Sequence, residues 1–87
     1  MSNKVLDTFI ELQEKLGKRI EVYCKKDKRT IRGILSSQRG EFYLKYPKIY
    51  ITILDAIVLH EGKTKKYDKV HIPLNPLIGD FEYRFIE

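Results

Sequence analysis

The sequence predicts a mostly β fold, in which one N-terminal α-helix precedes five or six antiparallel strands of a small, strongly bent barrel. Apolar residues first recur at helical spacing and then alternate with polar residues, in the two-residue repeat of half-buried strands. A glycine within the second predicted strand, Gly33, provides a bend of the kind that a small barrel needs at its corners. A chain of 87 residues without a break in composition forms one domain, residues 1–87.

The predicted helix spans about residues 5–16. Its apolar positions recur every three or four residues: Val5, Leu6, Phe9, Ile10, Leu12 and Leu16. Asp7 and Thr8 are candidate N-terminal residues, and Gly17 followed by a lysine is a typical helix stop. The barrel is then expected over about residues 18–78.

The first two strands flank a short charged turn at residues 26–28. Ile20, Val22 and Cys24 alternate with polar neighbours before this turn, and Ile31 and Leu35 continue the pattern after it. The basic stretch over residues 25–33 is therefore interpreted first as a hairpin tip and bend, and only second as a contact for phosphate.

The rest of the chain predicts further strands of unequal clarity. Residues 36–47 are interpreted as an enlarged loop or an extra hairpin, because Gly40 and Pro47 interrupt the pattern. Residues 48–60 predict a long, bent, mostly buried strand, which pairs through a basic connecting loop with the strand around residues 69–74. A turn at Gly79-Asp80 precedes a C-terminal strand over about residues 81–86.

Composition limits both the partners and the chemistry. Lys and Arg number 17 against 12 Asp and Glu, and the resulting net charge of +5 favours a polyanionic partner. The single cysteine, Cys24, excludes an intrachain disulfide, and neither His60 nor His71 has metal-ligand spacing, so no metal or cofactor is expected. So small a core supplies roughly 3–5 kcal/mol, which favours self-association.

The sequence also predicts a protein that is neither membrane-bound nor catalytic. No apolar run approaches the roughly 20 residues that span a bilayer, and the N-terminus lacks the apolar core of a signal peptide, so we expect a cytoplasmic protein. Cys24 alternates with buried positions, where cysteine acts as a small hydrophobe. No nucleophile has an evident base, so we expect no enzyme.

Several motifs in register resemble those of the Sm-like (LSm) protein family. The first family motif, L-x-x-x-x-G-K-x-V-x-V-x-L-K, is matched by Leu12, Gly17, Lys18, Ile20, Val22, Cys24 and Lys25. Its R-x-x-x-G-x-L ending is matched by Arg29, Gly33 and Leu35. The family's L-x-D-A strand end falls on residues 53–56, with Asp55 at a structural turn position, and its second motif falls on residues 72–74 with Leu77. Over about residues 6–77 the chain resembles a divergent, archaeal-type Sm-like protein.

This resemblance implies a fold, an assembly and a ligand. The implied fold is a helix followed by a bent five-stranded antiparallel barrel of the SH3-like kind, and the implied assembly is a homo-oligomeric ring of six or seven subunits. Ring neighbours pair the fourth strand of one subunit with the fifth of the next. The segment over residues 81–86 could replace that edge strand, add an extra strand or block it. Family members bind single-stranded RNA and act with other RNA-processing proteins, as ribonucleoproteins.

The chain departs from the family pattern at the RNA pocket. The Asn of the family's base-reading loop falls on Tyr50, and the Arg-Gly of the second motif is Pro73-Leu74. A rebuilt RNA site is therefore predicted from residues that can stack on bases or meet phosphate. These candidates are Arg39, Tyr46, Lys48, Tyr50, His71 and Asn75.

Each candidate residue also has a purely structural interpretation. Tyr46 and Tyr50 could be ordinary barrel aromatics, His71 a solvent-facing strand residue and Asn75 a turn residue. Lys63, Lys65 and Lys66 could contact phosphate, although such a run is more often a solvated loop.

Two other functions compete with RNA binding by a ring. One is an Sm-like oligomeric scaffold for proteins that has lost the RNA pocket. The other is an unrelated SH3-like or OB-like barrel that binds nucleic acid as a monomer.

Overall fold

A computed structural model of the protein describes residues 4–42 and 45–86. The order of elements is α1 (Lys4–Glu14), β1 (Arg19–Cys24), β2 (Arg29–Glu41), β3 (Lys48–His60), β4 (Lys63–Leu74) and β5 (Phe81–Ile86). The strands form one antiparallel sheet in the order β4-β3-β2-β1-β5. The predicted fold class, an N-terminal helix followed by five antiparallel strands, is confirmed, and the sheet is not closed between β4 and β5.

The helix α1 ends two residues earlier than the apolar spacing predicts. The backbone N–H of Gly17 donates to the carbonyl of Leu35 at 2.7 Å, and Leu35 donates to the carbonyl of Lys18 at 2.9 Å. These bonds draw the chain into the sheet before Leu16 can complete a further helical turn. Gly17 adopts a φ of 88°, which glycine tolerates at a helix end.

A single apolar core lies between α1 and one face of the sheet. Its fully buried side chains come from the helix and from the first three strands: Leu12, Ile20, Val22, Leu35, Ile49, Ile51 and Ile53. Every second residue in the first half of β3 contributes to this set, as expected for a strand with one face in the core. No helix in residues 4–42 and 45–86 is both long enough and apolar enough to cross a membrane.

The predicted bend at Gly33 is present as an irregularity between β2 and β3. The pairing register shifts between Arg32 and Ile34, where β3 has an extra residue beside Asp55. Asp55 adopts a φ of 51°, which aspartate tolerates better than most residues. A Cβ atom on Gly33 would overlap the side chain of Ile53 and would lie 2.6 Å from the carbonyl oxygen of Leu54. The absence of a side chain at Gly33 therefore permits the close approach of the two strands.

The prediction of a loop or extra hairpin over residues 36–47 is wrong for its first half. Strand β2 continues to Glu41, and its polar second half pairs with the apolar first half of β3. Gln38 is also held by the helix, because its Nε2 donates to the carbonyl of Phe9 at 2.8 Å. Pairing and this tertiary contact override the weak strand propensity of residues 36–41. Residues 43 and 44, which the prediction included, lie outside the described residues.

The predicted basic connecting loop after β3 is also largely strand. Only Glu61 and Gly62 form the turn, with φ values of 52° and 74°, and β4 begins at Lys63. Positive φ at both central residues is the geometry of a two-residue hairpin whose twist matches its strands. The lysines of this segment therefore have fixed positions along an exposed edge strand.

The C-terminal segment is the fifth strand and not an extra one. Strand β5 pairs with β1 over its whole length, from Cys24 opposite Phe81 to Arg19 opposite Ile86. The hydroxyl of Tyr83 donates to Glu11 at 2.6 Å, which ties β5 to the helix. Strands β4 and β5 consequently form the two edges of the described sheet.

Candidate nucleic-acid interface

Cross-strand rows at one end of the sheet bring several predicted site residues together. Arg39 of β2 is opposite Tyr50 of β3, and Tyr50 is opposite Pro73 of β4. The neighbouring row on the same face places Thr52 opposite His71. Because side chains alternate along a strand, Tyr50 and Thr52 project from the face opposite to the buried isoleucines of β3. This face is directed away from the core.

A third row extends this face to the end of the sheet. Lys48, the first residue of β3, lies two positions before Tyr50 and is opposite Glu41. The register of β3 and β4, if continued by one residue, brings Asn75 opposite Lys48. We call the surface formed by Arg39, Lys48, Tyr50 and His71 the Tyr50 face, with Asn75 at its border.

The centre of the Tyr50 face is a cation–π contact. The guanidinium carbon of Arg39 lies 4.9 Å from the centroid of the Tyr50 ring. Such contacts stabilise by about 0.5–1 kcal/mol at exposed sites. Tyrosine rings and guanidinium planes both stack on unpaired bases, so the pair can act as one stacking surface.

His71 and Asn75 have partners of different kinds. His71 is exposed, as its solvent-facing interpretation predicts, and its Nδ1 lies 3.0 Å from the hydroxyl oxygen of Thr52. The side-chain oxygen of Asn75 accepts a hydrogen bond from the backbone N–H of Leu77 at 3.0 Å. Asn75 is therefore a turn residue in the first place, and only its border position relates it to the Tyr50 face.

Tyr46 precedes β3 in the chain and lies beside the border of the Tyr50 face in space. It is 62% exposed, and the ammonium of Lys45 lies 5.7 Å from its ring centroid. Tyr46, Lys48 and Asn75 line one groove with a volume of about 560 Å³. The groove is continuous with the border of the Tyr50 face through Lys48 and Asn75.

Several residues that line this groove were not among the candidate site residues. Lys26, Ile78 and Phe81 also line the groove. Lys26 belongs to the turn between β1 and β2, and Phe81 begins β5 opposite Cys24. Their proximity depends on the pairing of β1 with β5, which joins segments more than fifty residues apart. No local sequence signal marks that pairing.

In the half of the sheet formed by β5, β1 and the first part of β2, several charged side chains pair with one another. Glu21 of β1 accepts hydrogen bonds from Arg84 at 2.9 Å and from Arg32 at 2.5 Å. These two bonds, the one from Arg84 first, hold the pKa of the Glu21 carboxyl below its usual value, against the opposing effect of desolvation. Lys25 forms a salt bridge with Glu82 at 2.9 Å. Two cations of the basic stretch over residues 25–33 are thus bound within the protein.

Cys24 lies on the buried face of β1, as the alternation predicts. Its thiol sulfur lies 3.7 Å from a carboxylate oxygen of Asp27. In the part of the chain that the structure describes, no three His, Cys, Asp or Glu side chains are grouped so that they could hold a metal ion. The polar residues of the Tyr50 face are suited to stacking and to charge contacts.

Comparison of the chain with models of protein families, with curated proteins and with solved structures gave no match.

Proposed function

We propose that the protein is an RNA-binding, Sm-like protein that forms a homo-oligomeric ring, binds single-stranded RNA and acts in RNA metabolism. The observation that carries this proposal is the Tyr50 face, where an aromatic ring, a guanidinium, an ammonium and an imidazole share one surface directed away from the core. We propose a non-catalytic, cytoplasmic role, in which other RNA-processing proteins join the ring and no membrane is involved.

The chemistry of the Tyr50 face suits unpaired RNA. A base can stack on the ring of Tyr50 or on the guanidinium of Arg39, which lie 4.9 Å apart. Lys48, at the start of β3, carries a charge that can meet the phosphate beside such a base. Every base has a π face, so a site of this kind binds single strands with little sequence preference.

The ring is supported by the two sheet edges. Strand β4 offers an edge of 12 residues and β5 an edge of 6 residues. An antiparallel contact between β4 of one subunit and β5 of the next would satisfy backbone groups on both edges and cover both strands. Pro73 lacks an N–H, so the pairing would use the part of β4 that precedes it.

A second function, an oligomeric scaffold for other proteins, is favoured by a separate observation. Arg39 already occupies one side of the Tyr50 ring, and Pro73 stands where the family has its base-clamping arginine. Tyr46, Leu77 and Ile78 are each about 60% exposed near the groove and could anchor a protein partner.

The test combines an RNA titration with a mass measurement. The purified protein is titrated with labelled oligo-uridine, oligo-adenosine and a mixed single strand at two salt concentrations, by fluorescence anisotropy, and its mass is measured by light scattering. We expect salt-sensitive binding by a species of six or seven subunits. A ring without RNA affinity at low salt would favour the scaffold, and a monomer that binds RNA would favour the unrelated barrel.

The Tyr50→Ala substitution then tests the face itself. We expect the dissociation constant for RNA to rise by roughly 5- to 150-fold, which corresponds to about 1–3 kcal/mol per stacked base. Tyr23→Ala is the matched control, because Tyr23 is an exposed tyrosine of β1, which lies beyond β2 from the Tyr50 face. Equal effects of the two substitutions would contradict the role of Tyr50.

A further inference from the structure

The end of the β3–β4 hairpin has a second group of cations around a groove. Arg29, His60, Lys63, Lys65 and Tyr67 line this groove, together with Val58 and Glu61. We propose that it is a second contact site for the RNA backbone, at the far end of β3 from the Tyr50 face. This inference rests on the proposed function, because it assigns a further contact on the same single strand.

The strand register fixes which lysines belong to the groove. Lys65 is opposite Val58, and Val58 is opposite the buried residue Ile31. Lys63, two positions before Lys65 on the same strand, shares its side of the sheet, because strand side chains alternate. Lys66 does not line the groove, and it is opposite Ile57 in the next row. The hairpin therefore divides its lysines between two faces.

The groove holds its cations at a defined spacing. The two-residue turn at Glu61 and Gly62 has positive φ at both positions, and His60 pairs with Lys63 directly beside it. Alternate residues of a strand lie roughly 6.8 Å apart, so Lys63 and Lys65 suit successive phosphates of one strand better than a single phosphate group.

These cations are not neutralised within the described part of the protein. In residues 4–42 and 45–86, Arg29, Lys63 and Lys65 form no salt bridge, whereas Lys25 and Arg32 do. The acid in the groove, Glu61, has a side chain that is 79% exposed and lies 3.8 Å from His60. Three cations against one acid leave the groove positive, which favours a polyanion.

Tyr67 distinguishes a polynucleotide from other anionic partners. It lines the same groove as the cations and is 45% exposed. An exposed ring beside phosphate-binding cations is the combination that single-strand binders use, since the ring stacks a base while the cations follow the backbone. A membrane surface or an acidic peptide would gain from the charges alone.

The two sites are separated along one strand. Tyr50 and His60 lie ten positions apart in β3, at most roughly 33 Å along an extended strand. The extra residue of β3 beside Asp55 inverts the alternation, so the two side chains project from opposite sides of the sheet, and an RNA that contacts both sites passes around the β4 edge. A short RNA fills one site at a time, whereas a longer one reaches both. The increase in affinity with the length of the RNA should therefore depend on Lys63 and Lys65.

The experiment compares two double variants that each remove two positive charges. Lys63→Gln with Lys65→Gln removes the groove lysines, and Lys15→Gln with Lys18→Gln removes two exposed lysines that belong neither to the groove nor to the Tyr50 face. Both variants, Tyr50→Ala and the unmodified protein are titrated with oligo-uridine from roughly 4 to 16 nucleotides, the range of site sizes for small single-strand-binding barrels. The salt dependence is measured for the longest strand.

We expect the groove variant to lose affinity for long strands and to keep it for the shortest. Its slope of log affinity against log salt should become shallower by about 1.4, since each phosphate of a single strand that the protein neutralises adds about 0.7 to the slope. The control variant should leave the slope nearly unchanged. Circular dichroism melting of both variants checks that the fold is retained.

The other outcomes of this experiment distinguish a failure of the second site from a failure of the proposed function. Equal behaviour of the two double variants, with a large effect of Tyr50→Ala, would overturn the second site and leave the proposed function standing. A weaker affinity of the groove variant with no effect of Tyr50→Ala would keep the hairpin site and overturn the role of the Tyr50 face. No binding of any strand would overturn both. Binding to anionic lipid vesicles that depends on the groove lysines, without such dependence for RNA, would overturn the second RNA site and assign the groove to a lipid surface.

Discussion

The cations in the two halves of the sheet have different partners. On the outer surface of β5, β1 and the first part of β2, Glu21 binds both Arg84 and Arg32, and its side chain is only 14% exposed. On the Tyr50 face, Arg39 lies over an aromatic ring, and Lys48 forms no salt bridge within the described part of the chain. A carboxylate therefore holds both arginines in the first region, whereas Arg39 and Lys48 in the second form no salt bridge within the described residues.

This difference separates a structural use of charge from a use in recognition. A row of Arg84, Glu21 and Arg32 crosses three strands and joins β5 to the rest of the sheet. The cation–π contact on the Tyr50 face contributes less to stability than this row, because such a contact at an exposed site is worth about 0.5–1 kcal/mol. We therefore expect changes in the first region to alter stability and changes in the second to alter binding.

The largest effect is expected at Gly33, in the bend between the two regions. In Gly33→Ala the new Cβ would meet the side chain of Ile53 and the backbone carbonyl of Leu54. Backbone cannot yield as a side chain can, so we expect a loss of about 1–3 kcal/mol in the free energy of unfolding, measured by urea denaturation.

Gly40→Ala provides the matched control for that substitution. Gly40 also lies in β2, but the nearest atoms that a Cβ there would meet belong to the ring of Phe42, which can turn away. We expect a smaller loss than in Gly33→Ala, because a displaced Phe42 ring gives up its edge contact with Phe9, worth about 0.5–1.5 kcal/mol, and the loss of chain entropy in the unfolded state offsets part of that cost. If Gly33→Ala were as stable as Gly40→Ala, the close approach at the bend would have no energetic role.

An intermediate effect is expected at Glu21. The Glu21→Gln substitution removes the carboxylate between Arg32 and Arg84 and leaves two cations facing each other across β1. Hydrogen bonds to charged groups contribute about 1.5–3 kcal/mol, and the exposure of both arginines lowers this, so we expect a loss of about 1–2 kcal/mol in urea denaturation.

The control for Glu21 is Glu82→Gln on the neighbouring strand. The salt bridge between Lys25 and Glu82 is exposed on both sides, and such pairs contribute about 0–1 kcal/mol. Glu21→Gln should therefore be clearly the more destabilising of the two. Equal losses would mean that the partial burial of Glu21 does not strengthen its ion pairs. Each substitution removes one negative charge outside the Tyr50 face, so both should change the affinity for RNA to the same small extent.

The elements with a regular pattern could be predicted from the sequence. Three patterns in the sequence reflect the burial of one face of an element: the alternation in β1, the apolar run of β3 and the helical spacing before Gly17. Such burial can be recognised from the order of apolar and polar residues alone. Residues 36–41 contain no such signal, because their strand is formed by pairing with β3 and by the contact of Gln38 with the helix. Local propensity cannot express what a distant partner provides.

The same reasoning explains what could be predicted of the candidate site. Arg39, Lys48, Tyr50 and His71 were chosen by residue type and by motif position, and the register brings them to one face. Phe81 was missed because the pairing of β1 with β5 is non-local, and Lys26 was considered only as part of the basic stretch over residues 25–33. The different roles of the cations in residues 25–33 could not be predicted either, since the sequence does not reveal which cations of a basic stretch pair with a carboxylate.

The smallest effect is expected in the dependence of stability on pH. The arginine contacts lower the pKa of Glu21 in the folded protein below its value of 4.5 in the unfolded chain. A lowered folded-state pKa contributes stability that is fully present above the unfolded pKa and is lost as pH falls through the folded pKa. We therefore expect the unfolding free energy of the protein to fall as the pH falls below 4.5.

In Glu21→Gln this acid dependence should be weaker, because the titrating group is absent, and Glu82→Gln should retain most of it. Urea denaturation of the three proteins at neutral and acidic pH measures the difference, and parallel curves for the protein and Glu21→Gln would contradict the assignment of this pKa to the arginine pair.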